Sequence, residues 1–202
     1  MNPKDRKNMI LDVAEKLFYE KGYDQTSTAE IIKKSDIARG TLYYYFSSKE
    51  DILDAVIERK SEEVFFNAKK IALDKSKRAD IRLIDTLISL NSNGRQEEKE
   101  LDQVHSTQNA LMRKKINDYI VKYATPFFTE IVKDGIEQKI FDTKYPKECV
   151  EMILIYVNVA FDYMAQNSDE EEMMIKFQAF FYNIHKLLGA KEGSLDFGRI
   201  LE

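Results

Sequence analysis

Apolar residues recur at three- and four-residue spacing along most of the chain, and no stretch shows the two-residue alternation of a half-buried strand. The pattern predicts an all-α protein. Met9, Ile10, Val13, Ala14, Leu17 and Phe18 form the first stripe. They predict a helix over residues 5–21 that stops at Gly22, with Tyr23 folding back on its last turn. Ser27 and Glu30 have capping-box spacing, so a second helix should begin near Thr28. Ile31 and Ile32 give it an apolar side before a polar run ending at Asp36, a residue type that tolerates positive φ in a turn. A third short helix should start near Ala38. Its Leu42 and Phe46, four apart, point inward together and leave Arg39, Gly40, Tyr43 and Tyr44 on the other side. Ser48, with Asp51 three residues later, caps a fourth helix through Ile52, Leu53, Val56 and Ile57. It should run to about residue 73 as a rigid connector.

Residues 74–78 are polar and without period, the first plausible break. A fifth helix carries Ile81, Ile84, Leu87, Ile88 and Leu90 and is expected to stop around 91–94, with a weaker charged helix over about 96–104. The next begins near Gln108, and Pro126 should kink rather than end it, because Phe127, Phe128, Ile131 and Val132 continue the stripe. Gly135, Phe141 and Pro146 bound a loop. The last two helices, 147–166 and 170–188, are more apolar than a single chain needs. Residues 152–161 are apolar nearly all round. Met173, Phe177, Phe180, Ile184 and Leu187 repeat at four-three-four-three, with Met174, Phe181 and Leu188 one residue on. A face that wide, left open, would be a large exposed apolar patch. Pairing with a second copy closes it as a four-helix bundle. Ile153, Val157, Phe177, Phe180, Phe181, Ile184 and Leu188 are the expected homodimer interface, with either row able to face the partner.

Two short helices joined by a three- or four-residue turn make a helix-turn-helix, whose second helix lies in the DNA major groove. The run from Ala38 through Arg39, Gly40, Thr41, Leu42, Tyr43, Tyr44 and Tyr45 to Phe46, followed by Ser48, Lys49 and Glu50, resembles the recognition-helix region of the TetR family of bacterial transcriptional regulators. Ile37 stands where that family usually has Val, Ala38 for Ser, Tyr45 for His and Asp36 for Gly. Losing the Ser removes a side-chain cap from the recognition helix. The resemblance covers about the first quarter of the chain. It implies a DNA-binding domain over residues 1–47 and a larger helical ligand-binding and dimerisation domain over 48–202.

DNA contacts are expected from Thr28, Arg39, Gly40, Thr41, Tyr43, Tyr44, Tyr45 and Lys49. Arg39 has the geometry to bond guanine O6 and N7, and Gly40 would let the backbone approach the duplex. The family positions matching Tyr43, Tyr44 and Lys49 touch the DNA backbone. The resemblance also implies a small-molecule pocket among the middle helices. Met112, Tyr119, Tyr123, Phe127, Tyr156 and Phe161 would be its apolar lining, and Asn158 and Asp162 its polar groups. For any single member of that set, plain core is the simpler reading.

Charge does not announce a nucleic-acid binder: the 202 residues carry a net −4. DNA binding must rest on a local patch, with Lys4, Arg6, Lys7, Lys33, Lys34, Arg39 and Lys49 as its cations. One cysteine, Cys149, allows no intramolecular disulfide, and the N-terminus has no apolar signal-peptide core, both in keeping with the cytoplasm. The longest apolar run would span about 15 Å as a helix, half a bilayer core, so no membrane segment is expected. His105 and His185 have no neighbour at metal-ligand spacing, and no phosphate loop, nucleophile elbow or carboxylate pair is present. Neither a metal, a cofactor nor an enzyme is expected. The reading is a ligand-responsive repressor binding a palindromic operator as a homodimer; the alternative is a helical sensor or adaptor that keeps the fold without specific DNA binding.

Overall fold

The computed structural model describes residues 2–101, 110–167 and 169–195. These form α1 (Pro3–Lys21), α2 (Thr28–Lys34), α3 (Arg39–Tyr45), α4 (Lys49–Ala72), α5 (Ala79–Leu101), α6 (Ala110–Glu137), α7 (Pro146–Asn167) and α8 (Glu170–Leu187). No strand occurs among the described residues. No helix among them is long and apolar enough to cross a membrane.

The chain divides into two compact units. The first comprises Met1–Glu63 and Asn93–Tyr119, the second Val64–Ser92 and Ile120–Glu202. The compact units therefore do not divide at residue 48, where the sequence placed a domain boundary. Ile52, Leu53, Val56 and Ile57 of α4 are buried in the same core as α1 to α3, and Met112 of α6 joins them. The helix-turn-helix needs these side chains to close its apolar face. α4, α5 and α6 each continue from one unit into the other.

In the first unit, Asn2 caps α1 by accepting from the Asp5 amide at 2.8 Å. Gly22 ends it, and the Tyr23 ring settles 5.4 Å from that of Phe18. Ser27 caps α2 by accepting from the Glu30 amide at 3.2 Å, while the Glu30 carboxylate takes the Lys21 ammonium at 2.5 Å. Asp36 adopts φ +50 in the turn, as its side chain permits. Ser48 caps α4 through the Asp51 amide, and Asp51 returns a bond to the Ser47 amide at 2.8 Å. Arg59 reaches Asp12 and Glu15 of α1, each at 2.7 Å, and Lys115 of α6 reaches Glu50 and Asp54 of α4 at 2.8 and 2.7 Å. Partly exposed pairs of this kind contribute little stability each; they fix the register of helices that apolar burial holds together.

The second unit is a helical core of α4 to α8 built on Leu83, Ile84, Phe128, Ile131, Leu154 and Ile184. α6 runs through Pro126 without stopping, as the continued stripe predicted. Gly135 is needed for close approach, because a Cβ there would run into the Phe141 ring. α5 departs from expectation: it passes through residues 91–94 and ends only at Leu101. Extending a formed helix adds one hydrogen bond per residue, and one glycine costs about 1 kcal/mol, too little to break it. The end of the helix expected over 96–104, and the start expected near Gln108, lie outside the described residues.

Arg82 is fully buried in this unit. Its Nε donates to the Ala72 carbonyl at 2.8 Å, Nη2 donates to the same carbonyl, and Nη1 donates to Asp134 at 2.7 Å. Lys75 reaches the other oxygen of Asp134 at 3.1 Å. The guanidinium thus ties the end of α4 to α6. Burial pushes the Asp134 pKa up, but hydrogen bonds from Arg82 and Lys75 outweigh it and hold the carboxyl below the usual range. Such a group adds stability above the ordinary carboxylate pKa of about 3.9, which is lost as pH falls through its lower folded value. Arg82→Ala should cost about 3–5 kcal/mol by removing the buried partner of Asp134, which keeps only Lys75, and both donors to the Ala72 carbonyl. In urea denaturation Asp134→Asn should also be destabilised at neutral pH, and the gap to the parent should close below about pH 4.

Candidate nucleic-acid interface

Seven residues are too few for an independent helix in water, so α3 exists because it is packed. Leu42 and Phe46 are 1% and 3% exposed against Leu17, Phe18 and Ile31, and burying each is worth about 1.5–3 kcal/mol. Ala38 precedes the helix in extended conformation with no side-chain cap bond, as expected from the missing Ser. The Phe46 amide closes the far end on the Leu42 carbonyl at 2.9 Å.

With Leu42 and Phe46 inward, the opposite side is presented to solvent. Arg39 and Gly40 are exposed in the first turn, and Tyr43 and Tyr44 are 44% and 80% exposed. The Arg39 guanidinium lies 5.6 Å from the Tyr43 ring centroid, which steers it along the helix face. No acidic residue belongs to α3. Lys33 and Lys34 end α2, and Lys4, Arg6 and Lys7 are exposed on α1.

The remaining expected contacts are placed differently. Thr28 and Thr41 are half-buried at the starts of α2 and α3. Tyr45 is half-buried against the first core, its ring edge-on to Tyr44 at 4.9 Å and 6.4 Å from Phe46. Lys49 is turned inward onto the carbonyls of Tyr23 and Thr26. Thr26, which sequence reasoning passed over, is buried and organises that loop. A threonine between a helix-ending glycine and a helix-capping serine was the available signal.

Residues 10–56 match the family model described as bacterial regulatory proteins, tetR family, and residues 89–183 match that of the tetracyclin repressor-like C-terminal domain. The chain belongs to the TetR family. Over 52 residues it is 48% identical to the HTH-type transcriptional regulator QacR of Staphylococcus aureus, a match covering 26% of each chain. Over 139 residues it is 31% identical to the fatty acid metabolism regulator protein of Bacillus subtilis, covering 63% of this chain and 66% of the relative. SmeT, the repressor of the Stenotrophomonas maltophilia multidrug efflux pump SmeDEF, has a TM-score of 0.68 at 18% identity, covering 97% of this chain and 96% of SmeT. That likeness carries the fold alone.

In this TetR-family protein the described members of the expected ligand set are divided between the two units. Met112 is buried in the first unit's core, with Tyr119 packed on the same core, whereas Phe127 is buried in the second. Tyr123 and Tyr156 are largely exposed, and the Tyr156 ring stacks on Phe180 at 5.1 Å. The stripe along α6 was read as one lining, but a helix of 28 residues, about 42 Å long, serves both cores. The side chains of Asn158, Phe161 and Asp162 lie outside the described residues.

The expected dimer set also needs correction. Ile153, Phe180, Ile184 and Leu188 are buried in the chain's own second core, and Val157, Phe177 and Phe181 are half-buried. The chain's own helices thus bury Phe180 and Ile184 of the first row and Leu188 of the second, while Met174 of the second row is exposed. Met152, Ile155 and Tyr156 on α7, and Ile175 and Tyr182 on α8, are likewise exposed.

The differing burial of adjacent tyrosines is testable by denaturation. Tyr44→Ala should leave stability within about 0.5 kcal/mol of the parent, whereas Tyr45→Ala should cost about 1–2 kcal/mol.

Proposed function

We propose that this protein is a ligand-responsive repressor that binds a palindromic operator as a homodimer through the exposed face of α3. The observation that carries the DNA reading is Gly40. A Cβ built there meets nothing within 4 Å, so the chain's own packing does not require glycine. Glycine inside a helix is nevertheless less favourable than alanine by about 0.5–1 kcal/mol. A surface from outside the chain, approaching the α3 backbone closely, accounts for that cost. Arg39 beside it supplies a bidentate donor for a base edge, and the Tyr43 and Tyr44 hydroxyls reach phosphates. Thr28 and Thr41 flank this face, and Tyr45 supports it from behind. Gly40→Ala should therefore raise stability by about 0.5 kcal/mol while weakening operator binding, and Arg39→Ala should relax discrimination at one base pair by about 1–3 kcal/mol. A Gly40→Ala protein with full operator affinity would remove the main support.

Release by a small molecule is supported by the membership of the C-terminal part in the family and by SmeT, a structural neighbour solved with triclosan. The ligand would act by population shift: it must bind a state whose two recognition helices no longer match successive major grooves better than the operator-competent state. Tyr123, Phe127 and Tyr156 are the described residues of the second unit that remain in the proposed lining. Such a regulator works in the cytoplasm.

The homodimer is supported by the exposed large apolar side chains that α7 and α8 carry, Met152, Ile155 and Tyr156 with Met174, Ile175 and Tyr182, which pairing with a second copy would cover. Val157, Phe177 and Phe181 would border that interface rather than centre it. Ile175→Glu and Tyr182→Glu, both exposed in one chain, should yield a folded monomer with sharply reduced operator affinity. Sedimentation of the parent as a monomer at micromolar concentration would contradict this interface.

A further inference from the structure

Thr86 of α5 is fully buried in the second unit, and its hydroxyl has no hydrogen-bond partner among the described residues. The other two threonines buried in that unit show what a helix ordinarily offers such a group. Thr125 Oγ1 donates to the Val121 carbonyl at 2.6 Å, and Thr129 Oγ1 donates to the Thr125 carbonyl at 2.7 Å, each four residues back. Thr86 has the equivalent acceptor in the Arg82 carbonyl and does not use it. Its hydroxyl is therefore turned away from its own backbone. Valine has almost the same shape and would be the cheaper occupant, because an unpaired buried hydroxyl is costly and a methyl group is not. A buried water does not account for the choice. It would need two to four polar partners, and no second unpartnered side-chain polar atom is described in this unit.

α5 and α6 run antiparallel in this unit: the Ala79 amide donates to Gln138 at 3.0 Å, and Arg82 meets Asp134 at 2.7 Å. One turn further along α5, Thr86 is level with Ile131 of α6, and Phe127 lies one turn beyond; both are buried in the unit's core. Phe127 belongs to the proposed ligand lining. The buried charges nearby are already matched, Arg82 with Asp134 and Asp80 with Arg78. This region thus offers a ligand apolar walls and one hydroxyl, with no unmatched buried charge among the described residues. We propose that Thr86 is a hydrogen-bonding anchor of the ligand site, and that the ligand is an uncharged, mainly apolar molecule with one oxygen that pairs with this hydroxyl. This rests on the ligand-responsive reading above. An ion seated there would lose its hydration without gaining a counter-charge, and a pure hydrocarbon would leave the hydroxyl unpaired.

The test uses octan-1-ol, octanoate and octylammonium as probes, which share one chain and differ in the head group. Binding is read as a thermal shift, and as release of a duplex selected by the parent protein, in the parent, Thr86→Val and Thr86→Ser. Without any probe, Thr86→Val should melt at or above the temperature of the parent, since it deletes an unpaired hydroxyl. A lower melting temperature would reveal a partner within the chain and overturn the proposal. Octanol should stabilise the parent and release the duplex. It should bind Thr86→Val about tenfold more weakly, through the loss of one hydrogen bond, while Thr86→Ser keeps most of the affinity. Either ion binding as tightly as octanol, binding of none of the probes, or equal octanol affinity in the parent and Thr86→Val would each overturn the proposal. The two readings fail separately. Octanol that binds through Thr86 but never releases the duplex defeats the ligand response and leaves the site; octanol that releases the duplex equally from the parent and Thr86→Val leaves the ligand response and defeats the anchor.

Discussion

The burial of Leu42 and Phe46 is the constraint on which the outward face of α3 depends. Both side chains enter the core formed by α1, α2 and the first turns of α4, and a helix has only one side to offer once two positions four apart are committed. Arg39, Gly40, Tyr43 and Tyr44 are outward for that reason, not through any preference of their own. The same commitment explains why adjacent tyrosines differ. Tyr45 lies on the flank of the buried pair and becomes part of the wall, while Tyr44 is left in solvent. α3 is consequently a helix in which buried and exposed positions are divided by angle within seven residues.

A second division runs along α4. Its first turns close the core of the reading unit, and its last residue offers its carbonyl to the buried Arg82. Between them lies continuous helix that belongs in turn to both units. A buried guanidinium is costly to desolvate and adds little net stability over a well-packed apolar substitute, so its value lies in specifying one arrangement. Arg82 satisfies the terminal carbonyl of α4 and Asp134 of α6 at once, so the end of the connector has a defined seat.

The features most legible in the sequence were those written in local chemistry. The Gly22 stop, the Ser27 and Ser48 caps and the positive φ of Asp36 each follow from one or two residues and their immediate neighbours. The uncapped start of α3 followed from Ala38 in the same way. Legibility failed where the answer depended on which of several partners a side chain would find. Met112 and Phe127 share a stripe on α6 yet serve different cores, since periodicity reports a face and not its destination. Phe180 and Ile184 belong to a face wide enough for two partners, and their own chain claimed it. Lys49 was read as a DNA-backbone contact from the resemblance alone; its bonds to carbonyls 23 and 26 residues away in sequence leave no local trace.

The most direct test of the central claim, that the outward face of α3 reads a two-fold DNA site, is selection of duplexes from a random pool by the parent protein at near-physiological salt. Recovery of one sequence family with two inverted half-sites, about 34–36 Å or a multiple of that apart, is the predicted result. A bound pool without enriched sequence, or no bound pool at all, would contradict it.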